Sequence, residues 1–312
     1  MKKTHRLFNN YLLAIAITSV IGLIFALFTL LFYYEPLQKS IAFKNVIPIF
    51  TIIIFFTAVV LAIVFTIKVD SLHITKIKKS SSSTLKFATL LSAALASALF
   101  LFDFITFVIV PSEASPLKVV RLLFFVPFIA YFIIEVIPTR MHRKRIQIPY
   151  WAKVVTSLST IVWCVLGLLA MYFWSGLVIT NVFKLHHMFY YVLAVLFFLF
   201  EIKFELISHK GYRGYMLSAL VLFAYTTIST GAIIIVKFGS GLVGVDISNF
   251  EMFLPIAIGL YAFSKMLAIK HTIKYVMKRD QQTIHRHSHH HSHHHHHHHD
   301  ETKDDIQVVN KD

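Results

Sequence analysis

Apolar residues in this chain gather into eight long blocks separated by short polar connections. The blocks are 11–34, 46–67, 87–110, 117–137, 152–174, 188–207, 215–236 and 249–270. A helix of roughly 20 apolar residues crosses the ~30 Å hydrocarbon core of a bilayer, so each block is long enough to span it. None has the strict two-residue alternation of a barrel strand. Helices are therefore expected, because backbone exposed to lipid must satisfy its own hydrogen bonds. The first block follows Lys2, Lys3 and Arg6, as a signal peptide would, but it is too long for one and lacks a small-x-small cleavage site. It is expected to be an uncleaved first span.

The fold class read from this pattern is an all-α polytopic membrane protein of eight spans paired into four hairpins. Lys and Arg set its orientation. The N-terminus, the second, fourth and sixth connections and the segment after the last block carry most of them, as in Lys68, Lys76, Lys78, Lys79 and Lys86, or Arg140, Arg143, Lys144, Arg145 and Lys153. The alternate connections hold one or two each, such as Lys39 and Lys44, or Lys118 alone. The positive-inside bias then puts both termini in the cytoplasm. His73, His142, His209 and His271 close the four inner helix ends at separations of 69, 67 and 62 residues. A duplicated two-helix unit gives such a period, and so does the ordinary preference of inner helix ends for polar residues.

Composition agrees. The 312 residues are 57% hydrophobic and only 14% charged, which excludes a soluble enzyme or a disordered regulator. The net charge of +15 lies between apolar blocks and not along one polar face, so it points to lipid headgroups and not to nucleic acid. Cys164 is the single cysteine and has no disulfide partner within the chain. The overall character resembles a bacterial inner-membrane protein.

Charges inside apolar blocks are costly, which makes them the candidate functional residues: Asp103, Arg121, Glu135 and Glu201. Asp103 and Arg121 lie in consecutive blocks, at depths about 6 Å apart at 1.5 Å per residue, so they are expected to form a buried pair. Glu135 and Glu201 occupy matching places near inner helix ends, and Glu205 follows one turn after Glu201. They would either pair with basic residues at the interface or form a carboxylate vestibule for a cation. His186 and His187, at the outer end of the sixth block, are expected to be interfacial anchors. Thr226, Thr227, Ser229, Thr230 and Gly231 give the seventh block a polar middle, and Ser92 to Ala98 gives the third a small-residue packing face.

Residue 280 marks a change of character. Residues 1–279 hold 27 Lys and Arg against 9 acids, whereas residues 280–312 hold 3 against 6. Twelve of the nineteen histidines lie in this tail: His285, His287, His289, His290, His291, His293, His294, His295, His296, His297, His298 and His299. A disordered cytoplasmic tail is expected, because the segment has too little apolar surface to fold. Its neutral imidazoles would bind Zn, Ni, Co or Cu weakly and without fixed geometry. The tail resembles the histidine-rich cytoplasmic segments of several divalent-metal transporter families, which implies metal handling. A functionless low-complexity tract and an expression tag have the same composition.

Residues 1–279 contain no His-x-x-x-Asp or His-x-x-x-Glu pair, phosphate loop, metalloprotease motif or nucleophile elbow. No cofactor is required by any motif, and nothing marks an enzyme. The sequence therefore points to a permease-like membrane protein with a metal-buffering tail, or to a non-transporting scaffold or sensor that docks partners and anionic lipid through its basic loops. Cellular Zn, Ni and Co contents separate these readings. A change with the full chain that is lost both on truncation after Arg279 and in Asp103→Asn supports metal transport; a change lost only on truncation marks the tail as a passive sink.

Overall fold

The computed structural model describes residues 2–35, 40–41, 46–69, 83–109, 116–136, 140–141, 144–145, 148–173, 182–207, 211–240 and 252–270. The histidine tail, most of the inner connections and the four periodic histidines lie outside the described residues. The protein is almost entirely helical, and eight helices are long and apolar enough to cross a membrane. It is an integral membrane protein with several spans.

The helices are α1 (Lys2–Tyr33), α2 (Val46–Lys68), α3 (Ser83–Ile109), α4 (Pro116–Val136) and α5 (Tyr150–Phe173). α6 comprises Val182–Ile202 and a π-helical end, Lys203–Ile207. α7 is divided into Tyr212–Tyr225, a π turn at Thr226–Thr230, and Gly231–Ser240. α8 is Met252–Lys270. Two-residue extended pairs lie between helices, Tyr34–Glu35 against Ser40–Ile41 and Arg140–Met141 against Lys144–Arg145. The sixth helix starts six residues before the apolar block at 188–207. Lys184, His186 and His187 are thereby carried into the helix, since a few polar residues do not stop a helix whose other faces are apolar.

Burial divides the bundle into centre and rim. α7 and α8 have 72% of their most apolar window buried, against 17% for α2 and 22% for α3. α7 packs on α2 and α6, its far half lies along α1, and α3, α4, α5 and α6 pack in sequence. α8 reaches the others through side chains: Phe263 stacks on Phe223 of α7, and Tyr261 meets Phe132 of α4 and Phe197 of α6. On the rim helices, bulky apolar side chains such as Leu13, Ile17, Phe56, Ile105 and Leu123 stand exposed. In water they would be a liability, but here they form the face presented to lipid.

Lipid offers little hydrophobic drive between helices, so close packing and satisfied hydroxyls hold them together. Between the buried Leu85 and Leu99, α3 buries Ala88, Ser92 and Ala96, a stripe of small residues at helical spacing that lets α4 approach. Hydroxyls on buried faces bond back into their own helices, as with Ser92 to Ala88 O at 2.9 Å and Thr160 to Thr156 O at 2.9 Å. Between α1 and α2, the Thr29 and Thr51 hydroxyls meet at 2.9 Å. Where α8 meets α7, a methyl added to Gly259 would collide with Thr226 Oγ1.

Gly259→Ala should therefore destabilise the bundle by about 1–3 kcal/mol, the usual cost of overpacking. A second change, Thr226→Ala, removes the colliding hydroxyl and should recover most of the loss. Thermal unfolding of the four proteins of this cycle checks the coupling.

Candidate functional site

Lys265 is the centre of the polar interior. It lies five residues before the end of α8, about 7.5 Å along the axis, and is fully buried. Its ammonium group meets Glu135 Oε2 of α4 at 2.8 Å, and from α6 Glu201 Oε1 at 2.8 Å and Glu205 Oε1 at 2.7 Å. An ammonium has three N–H donors, and here each has a carboxylate. The Glu135 and Glu205 side chains keep 8% and 21% of their exposure, Glu201 only 3%.

Two phenols complete the setting of Glu201. Tyr131 of α4 donates to Oε2 at 2.5 Å, Tyr261 of α8 donates to Oε1 at 3.0 Å, and the two hydroxyls are 2.9 Å apart. Two hydroxyl protons serve these three contacts, so two are filled at any moment. Periodicity explains the convergence. Tyr131 and Glu135 are four residues apart on α4, as are Tyr261 and Lys265 on α8 and Glu201 and Glu205 on α6, so each pair shares a helix face. A cleft beside the cluster, lined by Glu135, Lys153, Thr156, Ser157, Glu201 and Glu205, offers about 20 Å³ to water centres. That is room for about one water molecule.

The four candidates read from the sequence separate into two groups. Glu135 and Glu201 meet around Lys265, a partner from the bundle interior. Arg121 is 7% exposed on α4, 14 residues before Glu135 and so about 21 Å away along the axis. It donates to the Tyr191 hydroxyl at 2.6 Å, and its guanidinium lies 4.4 Å from the centre of the Trp163 ring and 5.8 Å from that of Phe125. An aromatic cage of this kind stabilises a desolvated guanidinium through the ring faces. Asp103 is half-buried on α3. The twelve tail histidines proposed as metal ligands lie outside the described residues, and among the described residues no group of three or more His, Cys, Asp or Glu forms a metal-binding arrangement.

His186 and His187 differ from their expected place as interfacial anchors, because both are buried within the bundle. His186 Nδ1 lies 2.6 Å from the Tyr225 hydroxyl and Nε2 lies 3.2 Å from Thr230 Oγ1, with its ring stacked on Tyr225. His187 Nδ1 donates to the Phe183 carbonyl at 3.1 Å, which assigns its proton to that nitrogen. The early start of α6 accounts for both.

Lys265 itself carried a signal in the sequence, as a cation inside the block 249–270 with the same standing as Arg121. Tyr131 and Tyr261 carried none, since a tyrosine in an apolar block is ordinary. Comparison with known protein families, with curated proteins and with solved structures found no match.

Removing one partner of a buried ion pair leaves the other uncompensated, at about 3–5 kcal/mol. Lys265→Met should lower the unfolding free energy by that amount, and Glu201→Gln by somewhat less because a neutral amide still accepts hydrogen bonds. The double variant should lose less than the two single losses added together. Denaturation in detergent of all four proteins measures this coupling.

Proposed function

We propose that this protein is a permease of the cell membrane and that Lys265, Glu135, Glu201 and Glu205 form its ion-coupling centre. The observation that carries the reading is a fully buried ammonium shared by three carboxylates from two other helices. Buried charge of this density is a poor way to stabilise a bundle, since apolar residues of similar volume would do as well or better. Ionisable groups kept at membrane depth despite that cost typically serve ion and proton pathways. The cleft between α4, α5 and α6 supports access to the centre from one end of the bundle.

In this reading the helices work as four hairpins with both termini in the cytoplasm, as the distribution of Lys and Arg requires, so that the cleft opens to the cytoplasmic side. Asp103 and Arg121, expected from the sequence to pair, belong to the opposite half. The histidine tail buffers divalent metal ions near the cytoplasmic opening, which makes Zn, Ni and Co the first solutes to test. The basic loops bind anionic lipid.

Reconstitution tests the proposal. Full-length protein in liposomes, given a membrane potential and a pH gradient, is expected to accumulate at least one of radiolabelled Zn, Ni, Co, Na or Rb above protein-free vesicles. Lys265→Met and Glu205→Gln proteins that elute as folded species are expected to fall to the protein-free level. If no label accumulates with the native protein, the non-transporting scaffold replaces the permease.

A further inference from the structure

The cleft beside Lys265 has two unlike walls. α4 and α6 line it with carboxylates and the phenol of Tyr131, and α5 lines it with Lys153, Thr156 and Ser157. A carboxylate only accepts hydrogen bonds, an ammonium only donates them, and a hydroxyl does both. A ligand that suits all of these groups must itself donate and accept.

Ser157 departs from the habit of its helix. Its neighbours on α5 turn their hydroxyls back to helix carbonyls, Thr156 to Ala152 O at 2.8 Å and Thr160 to Thr156 O at 2.9 Å. Ser157 does not. It is 7% exposed and lines the cleft, and among the described residues its hydroxyl has no hydrogen-bond partner. Buried hydroxyls are normally satisfied, by protein or by ordered water.

Glu201 lines the same cleft with a lone pair to spare. Its Oε1 takes hydrogens from Lys265 and Tyr261, whereas Oε2 takes one from Tyr131. Each carboxylate oxygen accepts two hydrogen bonds, so Oε2 has a second acceptor position. Thr156 Oγ1 gives its own hydrogen to its helix and keeps lone pairs as well. The space between the walls suits about one water, and a buried water makes about three hydrogen bonds.

We propose that one water molecule binds in this cleft, between the Ser157 hydroxyl of α5 and Glu201 Oε2 of α6. It accepts from Ser157 and donates to Glu201, with Thr156 Oγ1 as its second acceptor and Lys153 as a further donor. An alkali cation of similar size has no hydrogen to give Glu201 and would set a like charge beside Lys153. The water gives partial hydration to the most buried of the three acids. It also ties α5 to a centre whose carboxylates come from α4 and α6. The inference goes beyond the permease reading and does not depend on it.

X-ray radiolysis of the full-length protein in phosphatidylcholine vesicles, read by mass spectrometry, tests the site. Hydroxyl radicals formed from a bound water add to the side chains beside it. Tyr131 and Tyr261 are both buried phenols bonded to Glu201, but only Tyr131 lines the cleft. Tyr131 is expected to be hydroxylated several-fold more than Tyr261. Its label should persist when a bulky radical scavenger suppresses labelling at exposed residues, and when NaCl replaces choline chloride. Ser157→Val fills the cleft and should bring Tyr131 down to the level of Tyr261. Ser157→Ala, the milder change should valine disturb folding, keeps the space and should lower the label in part.

Equal labelling of the two tyrosines in the native protein overturns the proposal, as does a Tyr131 label that the scavenger removes or that both Ser157 variants retain in full. Loss of the label in NaCl also overturns it, by giving the place to an alkali cation. Labelling reports no flux, so a failed transport assay leaves the water site intact, and a failed labelling assay leaves the permease.

Discussion

One ammonium group that three carboxylates must share sets the terms for much of this bundle. Lys265 cannot reach water, so α8 must lie where α4 and α6 can both present acids to it. That requirement puts α8 at the centre and leaves α2 and α3 to face lipid, the order of burial observed. It also gives direction to a bundle whose packing is otherwise permissive, because small residues and aromatic rings can be accommodated in many arrangements. A hydrogen-bonded charge cluster tolerates far fewer.

α4 links this centre to Arg121, another buried cation. Between Arg121 and Glu135 the helix presents Phe125, Phe128 and Phe132, which pack edge to face in sequence, and Phe128 stacks on Trp163 at 4.2 Å. Phe132 in turn meets Tyr261 at 5.3 Å. The interior thus holds an aromatic column with a guanidinium toward one end and a carboxylate–ammonium cluster toward the other. The column keeps water from joining the two along this helix face, and their charges act as separate local systems.

Most of the architecture was legible in the sequence. The number of spans follows from block length, because a bilayer imposes one length scale on every helix. Glu135 and Glu201 stood out as charges within apolar blocks, and Glu205 followed from them by one turn. What the sequence did not disclose was their partner. Periodicity assigns a face to each helix but not the neighbour of that face, so Lys265 could not be joined to two acids 60 and 130 residues away. Hydropathy also misplaced the start of α6, as Lys184, His186 and His187 lower the local average although they lie within the helix and are buried. Polar residues with partners inside the protein look, to a hydropathy scale, like residues in water.

The π turn of α7 has an implication for how one helix meets two sets of neighbours. A π turn accommodates one residue more than an α turn, and in α7 it separates a half that packs on α2 and α6 from a half that lies along α1. Winding Thr226–Thr230 as ordinary α-helix, with no residue removed, would give a continuous α-helix. It would also turn the far half by about 100° relative to the near one, the angle of a single α-helical residue. Tyr225 would remain beside His186, while Thr230 would swing off it. The extra residue therefore works as a phase shifter, by which one helix keeps two faces in register with two different sets of neighbours.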